Sequence, residues 1–319
     1  MTSRTFPFHP FPSGWYQVAY SDELAVGEVR RLRYFGRDLV LFRTESGAAR
    51  VFDAHCVHLG AHLGVGGRVV GESIRCPFHG WRWGADGGCV EVPYSGRAPS
   101  QARMRSWSLV EVNGLVMVFH DESGAPPSWQ VPGVAEVGSD EWTPFERRRW
   151  QIRTQPQEMA ENAVDRAHFR FVHGTVTVPE TTAEAEGHVL RVRSKMKLAT
   201  PMGEMDGAIE SDSWGFGFGL VRFKGIVETL LVSSVVPIDG DRVDVWFSFS
   251  VKKLPSRGAT RGVGAAIIAD IEKQLAEDTP IWENKQHLEH PCLSPDDGPI
   301  GLLRRWARQF YPVASPPAG

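Results

Sequence analysis

The chain has 319 residues, which exceeds a typical single domain and predicts two. Its formal net charge of −3 gives no sign of a nucleic-acid partner or of an anionic membrane surface. Residues 1–12 lack the basic start and apolar core of a signal peptide, and no run approaches the roughly 18 apolar residues of a membrane span.

The first segment, residues 15–121, reads as short strands joined by turns. Apolar runs predict strands over 39–42, 50–52 and 115–119, and the break at 45–47 predicts a hairpin between the first two. Glycines are frequent in the middle, and no long amphipathic helix is evident. The sequence therefore predicts an all-β domain.

Two loops in this segment carry cysteine and histidine in a matched pattern. Cys56 and His58 stand two apart, seventeen residues follow, and Cys76 and His79 stand three apart. A structural zinc site of the Cys₂His₂ type would use the same side chains, although zinc fingers usually pair Cys with Cys and His with His. One Cys and one His from each loop resembles a Rieske [2Fe–2S] site, where one iron takes two thiolates and the other two imidazoles.

The same loops indicate the type of Rieske site. Respiratory Rieske proteins resemble this pattern but carry one more cysteine in each loop, where this chain has Ala61 and Phe78. That disulfide cannot form, so the resemblance is to Rieske domains of oxygenases and their ferredoxins. We read Cys89 and Cys292 as inert thiols and His62 as structural. Four cysteines, two of them placed like metal ligands, favour a reducing cytoplasm over a disulfide framework.

A Pro- and Gly-rich stretch separates the two halves. We predict a first domain over 1–125 with an N-terminal extension over 1–14, a linker over 126–140, and a second domain over 141–319. Alternating or continuous apolar runs predict three strands in the second domain, over 188–198, 226–236 and 243–249. Two interpretations are open for residues 214–220. They are either a strand or loop, interrupted by glycines, whose aromatic side chains fill the core, or one wall of an apolar cavity.

A metal site is predicted in the segment 161–173. Asp165 and His168 stand three apart and would share one face of a helix, and His173 precedes Gly174, where the helix would end. Two neutral imidazoles and a carboxylate from elsewhere form the two-His-one-carboxylate site that binds Fe(II) and activates oxygen. A polar surface helix is the alternative interpretation.

Asp278 is the candidate for the missing carboxylate. A long helix is predicted over 264–285, and Asp278 lies on its apolar stripe. An unpaired carboxylate there would be costly, so it needs a partner such as a metal ion, an arginine or a helix cap. The neighbouring acids Asp270, Glu272 and Glu277 fall off the stripe and read as solvated charges. Glu283 is the competing ligand.

The order of these motifs resembles a known family. A Rieske-like domain followed by Glu-Asn-x-x-Asp-x-x-His-x-x-x-x-His is similar to the oxygenase component of Rieske non-haem iron oxygenases. Residues 277–285 and 296–311 resemble the branch of 3-ketosteroid 9α-hydroxylases and sterol 7-desaturases. In that branch the Asp before the Ile-Trp pair is the third iron ligand, which implies Asp278. The resemblance also implies a helix-grip (Bet v1/START-like) second domain, a curved antiparallel sheet over a long C-terminal helix. The expected fold class is therefore α+β.

The resemblance further implies roles and partners. Asp165 would accept hydrogen bonds from His168 and from His79 of the partner subunit in a head-to-tail homotrimer, and Asn162 would lie near the iron without binding it. The chain has no glycine-rich motif for a nicotinamide, flavin or phosphate, so a separate ferredoxin or flavin reductase would supply electrons.

The implied function is O₂-dependent hydroxylation or desaturation of a hydrophobic substrate of steroid or other polycyclic type. Two alternatives from other classes stay open at this point. One is a Rieske electron-transfer protein whose second domain binds a hydrophobic ligand. The other is a zinc-bound structural or lipid-binding module.

Overall fold

The computed structural model describes residues 6–200 and 203–312, with side chains omitted for 198–200. The side chain of Leu198, the last residue of the strand predicted over 188–198, therefore lies outside the description. Residues 1–5 of the first predicted domain and residues 313–319 of the second lie outside it as well. No helix within the described ranges is long and apolar enough to cross a membrane.

The N-terminal half consists of antiparallel strands and one short 3-10 helix, Ser21–Glu23. Its described strands are β1 (Gly14–Tyr20), β2 (Val29–Tyr34), β3 (Arg37–Arg43), β4 (Ala49–Asp53), β5 (Arg68–Val70), β6 (Ser73–Arg75), β7 (Arg82–Trp83), β8 (Cys89–Glu91), β9 (Leu109–Val112) and β10 (Leu115–His120). They form three small sheets with the orders β1-β10-β9, β2-β3-β4 and β5-β6-β7-β8. The predicted all-β character is confirmed.

Local sequence explains two of these hairpins. The predicted β3–β4 hairpin is confirmed, with Leu41 opposite Val51. Asn113 and Gly114 join β9 to β10 and both have positive φ, 56° and 75°. A two-residue turn of this kind matches the twist of the flanking strands, and Asn-Gly adopts it readily. The turn leads directly into β10, a continuous apolar run that is buried along its whole length.

Residues 121–145 contain turns but no helix or strand. The C-terminal half follows, and its described strands are β11 (Glu146–Ile152), β12 (Glu180–Glu186), β13 (Val189–Thr200), β14 (Gly203–Trp214), β15 (Phe218–Lys224), β16 (Thr229–Pro237) and β17 (Val243–Val251). They form one antiparallel sheet in the order β11-β17-β16-β15-β14-β13-β12. The three strands predicted for this half correspond to β13, β16 and β17. Strands β11, β12 and β14 were not predicted.

Four α-helices accompany this sheet in the described chain. They are α1 (Pro156–Asn162), α2 (Ala167–Phe171), α3 (Arg257–Asn284) and α4 (Ile300–Ala307). The predicted long helix is present as α3, but it begins earlier than residue 264. The reason is Ser256, whose hydroxyl accepts a hydrogen bond from the backbone N–H of Ala259 and caps the helix.

Helix α3 packs on the sheet through its apolar stripe. Ile268 and Ile271 contact a cluster with Leu231 and Phe249. Further along, Leu275 and Trp282 belong to a second cluster that includes residues of β11 and β17. A long helix over an antiparallel sheet is the arrangement that the α+β class predicted, and that class is confirmed.

Candidate active site

A cavity lies between the sheet and the helices α1, α2 and α3. Its volume is about 250 Å³, just below the roughly 300–1,000 Å³ usual for small-molecule pockets. Most of its lining is apolar and comes from both layers, including Leu190, Val192, Phe218, Leu231, Phe247 and Leu275. Phe216 and Phe218 are both buried and both line the cavity. The aromatic side chains of the segment 214–220 therefore belong to the core and also form part of the cavity wall.

The predicted metal-binding segment is two short helices and not one, which corrects the expectation of a single helix face. The Asp165 carboxylate accepts hydrogen bonds from the backbone N–H groups of Ala167 and His168, 3.0 and 3.3 Å away, and so starts α2 afresh. Gly298 packs against this junction. A Cβ on Gly298 would lie 2.2 Å from the Val164 carbonyl oxygen, so the close approach requires glycine.

This junction brings His168, His173 and Asp278 together. One ligand atom from each of them lies within 4.8 Å of the others. The His173 Nε2 and Asp278 Oδ1 atoms are 3.4 Å apart, and the side chain of His173 is only 3% exposed. All three line the cavity. Two imidazoles and one carboxylate at this spacing fit a divalent metal with open positions.

Backbone and carboxylate groups orient the two imidazoles. Nδ1 of His168 lies 2.5 Å from the Asp165 carbonyl oxygen, so this nitrogen carries the proton and Nε2 is left for a metal. The family resemblance implies this contact for the Asp165 carboxylate. The carboxylate oxygen Oδ1 is instead used by the backbone at the start of α2, which explains the difference.

Protonation of the two rings differs. Burial lowers the pKa of His168, and a neutral ring is the form that binds metal. Burial also lowers the pKa of His173, but hydrogen bonds to Asp278 and Glu277 outweigh it and raise this pKa above its ordinary value. A metal at this position would replace the proton that those two carboxylates stabilise.

The acidic residues of α3 differ in where their side chains lie and in what they contact. Asp278 is 8% exposed, whereas Glu283 lies near the backbone N–H of Arg153, outside the cavity. Glu277 was predicted to be a solvated charge, and this is wrong. Its Oε2 atom accepts a hydrogen bond from Nδ1 of His173 at 3.0 Å. The missed signal was its position beside Asp278, since two consecutive residues of α3 contact the two ring nitrogens of His173, which follows the end of α2.

Asn162 lines the same cavity. Its side-chain oxygen accepts a hydrogen bond from the indole N–H of Trp282, at 3.1 Å. Trp282 is buried and lines the cavity one turn of α3 beyond Asp278. The indole therefore fixes the orientation of the Asn162 amide.

The second group of predicted ligands lies in the N-terminal half. Cys56 and Cys76 are buried and free, and His58 and His79 are half-buried with ring centroids 4.8 Å apart. Nδ1 of His79 is buried without a hydrogen-bond partner in the described chain, as suits a nitrogen that binds a metal. Burial and the neighbouring Cys76 raise the pKa of Cys56 to about 11, so only a metal would hold this pair as thiolates.

The spacing of these four side chains discriminates between a cluster and zinc. A tetrahedral zinc ion requires all four ligand atoms close together. Among the described residues, no three of the four present their ligand atoms within 4.8 Å of one another. Separate thiol and imidazole pairs fit a two-iron cluster better than a single ion.

A further buried group escaped the sequence analysis. Glu158 and Glu161 on α1 lie beside His287, at a spacing that could hold a metal. Two cations already compensate these acids: Lys285 Nζ is 2.6 Å from Glu158, and the Arg304 guanidinium is 2.7 Å from Glu161. The group is therefore an ion-pair network that ties the C-terminal segment to α1. The spacing of three between the two glutamates was the available signal.

Two family models match the chain. The model of the Rieske [2Fe-2S] domain matches residues 14–108, and that of the 3-ketosteroid 9alpha-hydroxylase C-terminal domain matches residues 118–311. The chain belongs to the Rieske oxygenases. Its assignment as an oxidoreductase, the oxygenase component of such a system, is confirmed, as is the expectation of a [2Fe–2S] cluster and a mononuclear iron.

Curated relatives agree with this assignment. The oxygenase component of a 3-ketosteroid-9-alpha-monooxygenase from Rhodococcus rhodochrous is 32% identical, over 94% of this Rieske oxygenase and 81% of the relative. Cholesterol 7-desaturase from Caenorhabditis elegans is 31% identical, over 96% of this chain and 78% of the relative. The predicted branch is confirmed.

Solved structures show the same fold at low identity. The QL mutant of NdmA from Pseudomonas putida CBB5 with theobromine has a TM-score of 0.75 and 19% identity, covering 92% of this chain and 89% of that one. Dicamba monooxygenase bound to dicamba has a TM-score of 0.70 and 16% identity, and the match covers 93% of this chain and 96% of that one. These neighbours establish the architecture, and the individual ligand assignments stay predictions.

Proposed function

We propose that this Rieske oxygenase hydroxylates or desaturates an apolar substrate of steroid or other polycyclic type. The observation that carries the proposal is the largely apolar cavity that contains His168, His173 and Asp278 in its lining. The steroid and sterol relatives support this substrate class.

We also propose which residues would hold the two groups. Cys56 and Cys76 would bind one iron of the cluster, and His58 and His79 the other. His168, His173 and Asp278 would bind the mononuclear iron. When bound, ferrous iron supplies open positions at which oxygen chemistry takes place.

The remaining side chains orient ligands and substrate. The Asp165 carbonyl fixes the tautomer of His168, and Glu277 does the same for His173. Trp282 orients Asn162 beside the site. The apolar walls hold the substrate through burial and exclude water from the reacting carbon.

We further propose how subunits and partners are arranged. The Asp165 carboxylate of one subunit would accept a hydrogen bond from His79 of the partner subunit in a head-to-tail homotrimer. Within the described residues of one chain no hydrogen bond joins Asp165 and His79, which is consistent with this role. Electrons would come from a separate ferredoxin or flavin reductase.

The division into a Rieske domain over 1–125, a linker over 126–140 and a catalytic domain over 141–319 also remains our proposal. The stretch without helix or strand at 121–145 supports a boundary in this region. We place the protein in the cytoplasm, because cysteines placed like metal ligands rather than as a disulfide framework are typical of a reducing compartment.

Metal analysis combined with turnover tests this function. An oxygenase should contain about three irons per chain, an electron carrier about two and a zinc module none. With a ferredoxin, a reductase and O₂, a 3-ketosteroid or sterol should gain one oxygen atom or lose two hydrogens, as read by mass spectrometry. About two irons per chain and no oxygen-dependent product from any polycyclic substrate would favour the electron-transfer alternative.

A further inference from the structure

A polar row crosses the inner face of the sheet within the apolar cavity. Ser213 on β14 pairs with Gly219 on β15, and Gly219 pairs with Ser233 on β16. All three residues line the cavity. A Cβ on Gly219 would lie 2.8 Å from the Ser233 hydroxyl and 3.9 Å from the Ser213 hydroxyl. The missing side chain therefore leaves a small space between two hydroxyls, which we call the serine recess (Ser213, Gly219 and Ser233).

Both hydroxyls of the recess have hydrogen-bonding capacity to spare. In the part of the chain that the structure describes, no hydrogen-bond partner is found for the Ser213 hydroxyl. The Ser233 hydroxyl makes one long contact, 3.4 Å to the Gly219 carbonyl oxygen, near the limit for a hydrogen bond. Ser194 provides the contrast, because it lines the same cavity but already shares a 2.9 Å hydrogen bond with Thr181.

Apolar residues border the recess on both sides. Along the same cross-strand row, Leu190 pairs with Ser213, and Phe247 pairs with Ser233. Along this row the recess is therefore a polar position between apolar neighbours. It is suited to a single oxygen atom on a ligand that is otherwise apolar.

The charge of the cavity limits which oxygen group could enter. None of the described lining residues is a lysine or an arginine. A carboxylate in this cavity would lose its water without gaining a cation, which is costly. A serine hydroxyl both donates and accepts hydrogen bonds, so it suits a neutral ketone or hydroxyl oxygen.

We propose that the serine recess is a specificity-determining subsite of this oxygenase. It binds a neutral ketone or hydroxyl oxygen at one position of an apolar ring skeleton, while another carbon of that skeleton faces His168, His173 and Asp278. This inference rests on the proposed function and adds which substrates are preferred. A ligand without the oxygen would bury the Ser213 hydroxyl without a partner and the Ser233 hydroxyl with only its long contact, and it would bind more weakly.

Equilibrium binding to the purified holoenzyme, without O₂ or an electron donor, tests the subsite. Androstanone, androstanol, androstane and an androstane carboxylate share one skeleton and differ in one group. Quenching of tryptophan fluorescence reports binding, since Trp282 and Trp306 line the cavity. The ketone and alcohol should bind roughly three- to tenfold more tightly than the hydrocarbon, as expected for one hydrogen bond, and the carboxylate should bind weakest.

Single substitutions test which residues cause the preference for the ketone over the hydrocarbon. Ser213→Ala and Ser233→Ala should each weaken ketone binding by roughly three- to tenfold and leave androstane unchanged. Gly219→Ala should fill the recess and remove the preference for the ketone. Ser194→Ala is the matched control and should retain the preference for the ketone over the hydrocarbon. The serine variants decide the question if Gly219→Ala does not fold.

Three results would overturn the subsite: equal affinity for ketone and hydrocarbon, an undiminished preference in both serine variants, or no binding of any probe. Failure of the proposed function gives a different pattern. Ketone preference with loss in the serine variants, but no oxygen-dependent product, would reject oxygenation and keep the recess. Product formation without any preference would reject the recess alone.

Discussion

His173 donates a hydrogen bond from Nδ1 to Oε2 of Glu277, at 3.0 Å. The next residue, Asp278, places Oδ1 3.4 Å from Nε2 of the same ring. One imidazole is therefore held between the side chains of two consecutive residues of α3. A carboxylate on the far nitrogen fixes the tautomer of a ligating histidine and increases its basicity.

Removal of the Glu277 carboxylate should weaken the mononuclear iron site. We expect Glu277→Ala to lower iron affinity by roughly tenfold or more, because His173 loses its orienting partner. Glu277→Gln should lose less, since an amide oxygen can still accept the hydrogen bond. Chelator competition measures the affinity, and Asp270→Asn on the exposed side of α3 is the control. An unchanged affinity in Glu277→Ala would contradict the orienting role.

The identity of the third iron ligand can be tested directly. Asp278→Ala should sharply lower mononuclear iron content and spare the [2Fe–2S] absorption, because the carboxylate lies beside His173. Glu283→Ala should keep the iron, since Glu283 lies near the Arg153 backbone. Iron quantification in the two variants decides between them. Retention in the first and loss in the second would move the ligand to Glu283.

The cluster assignment predicts a visible change. Cys76→Ala and His79→Ala should each abolish the Rieske absorption, because each removes one of four ligands. Cys89→Ala is the matched control, because Cys89 is not a predicted ligand and its sulfur lies 3.6 Å from the Glu91 carbonyl oxygen. A normal Rieske spectrum in Cys76→Ala would show that the cluster has other ligands.

Asp165 can be tested with its isosteric amide. Asn also caps helices, so Asp165→Asn should keep α2 and the thermal stability. The variant loses the charge that we propose to join two subunits, so turnover should largely disappear while the cluster remains reducible and the iron bound. Single-turnover kinetics with a pre-reduced cluster measures the loss. Full turnover in Asp165→Asn would remove the bridging role.

Acid should destabilise the protein through His120. This side chain is 1% exposed, stacks on Phe35, and has no hydrogen-bond partner for either ring nitrogen in the described chain. Its Nε2 lies 3.8 Å from Oε2 of the exposed Glu122, beyond hydrogen-bond distance. Burial lowers its pKa from 6.5 to about 3. Between these two values the unfolded chain binds the proton and the folded chain does not, so stability falls as pH falls.

The variant His120→Phe keeps an aromatic ring at this position but has no ring nitrogen that can take up a proton. As pH falls from 6.5 towards 3, the native protein should lose about 1.4 kcal/mol of unfolding free energy per pH unit more than the variant. Above about pH 7 the difference between the two should be constant. Denaturant titrations across this range provide the measurement. Parallel curves throughout would show that the ring takes up a proton in the folded state.

Some of this site could be predicted because its information is local. The spacing within the loops with Cys56 and Cys76 predicts the cluster ligands. The pair His168 and His173 is a metal candidate because of its own spacing and because it follows those loops in the chain. Asp278 required one more argument, the cost of a carboxylate on an apolar stripe. The contact between His168 and the Asp165 carbonyl was not accessible, because it depends on how the backbone turns between two short helices.

Other features depend on pairing between distant strands. Ser213, Gly219 and Ser233 lie on three strands, and only the register of the sheet makes them neighbours. Alternation in sequence assigns residues to a face but does not fix which residues of the next strand lie opposite. The orienting role of Glu277 likewise required the packing of α3 against the α2 region.

The order of the seven-stranded sheet has a consequence for how the iron site is assembled during folding. Strands β11 and β12 are consecutive in sequence but form opposite edges of the sheet. The segment between them, which contains His168 and His173, is therefore anchored at both edges. Strands β12 to β17 each pair with the next strand in sequence, so they can form as successive hairpins. Strand β11 instead pairs with β17, which is distant from it in sequence. Closing such a distant contact is slow. We therefore expect the three iron ligands to come together only after β11 has paired with β17, because His168 and His173 lie between β11 and β12 and Asp278 lies on α3.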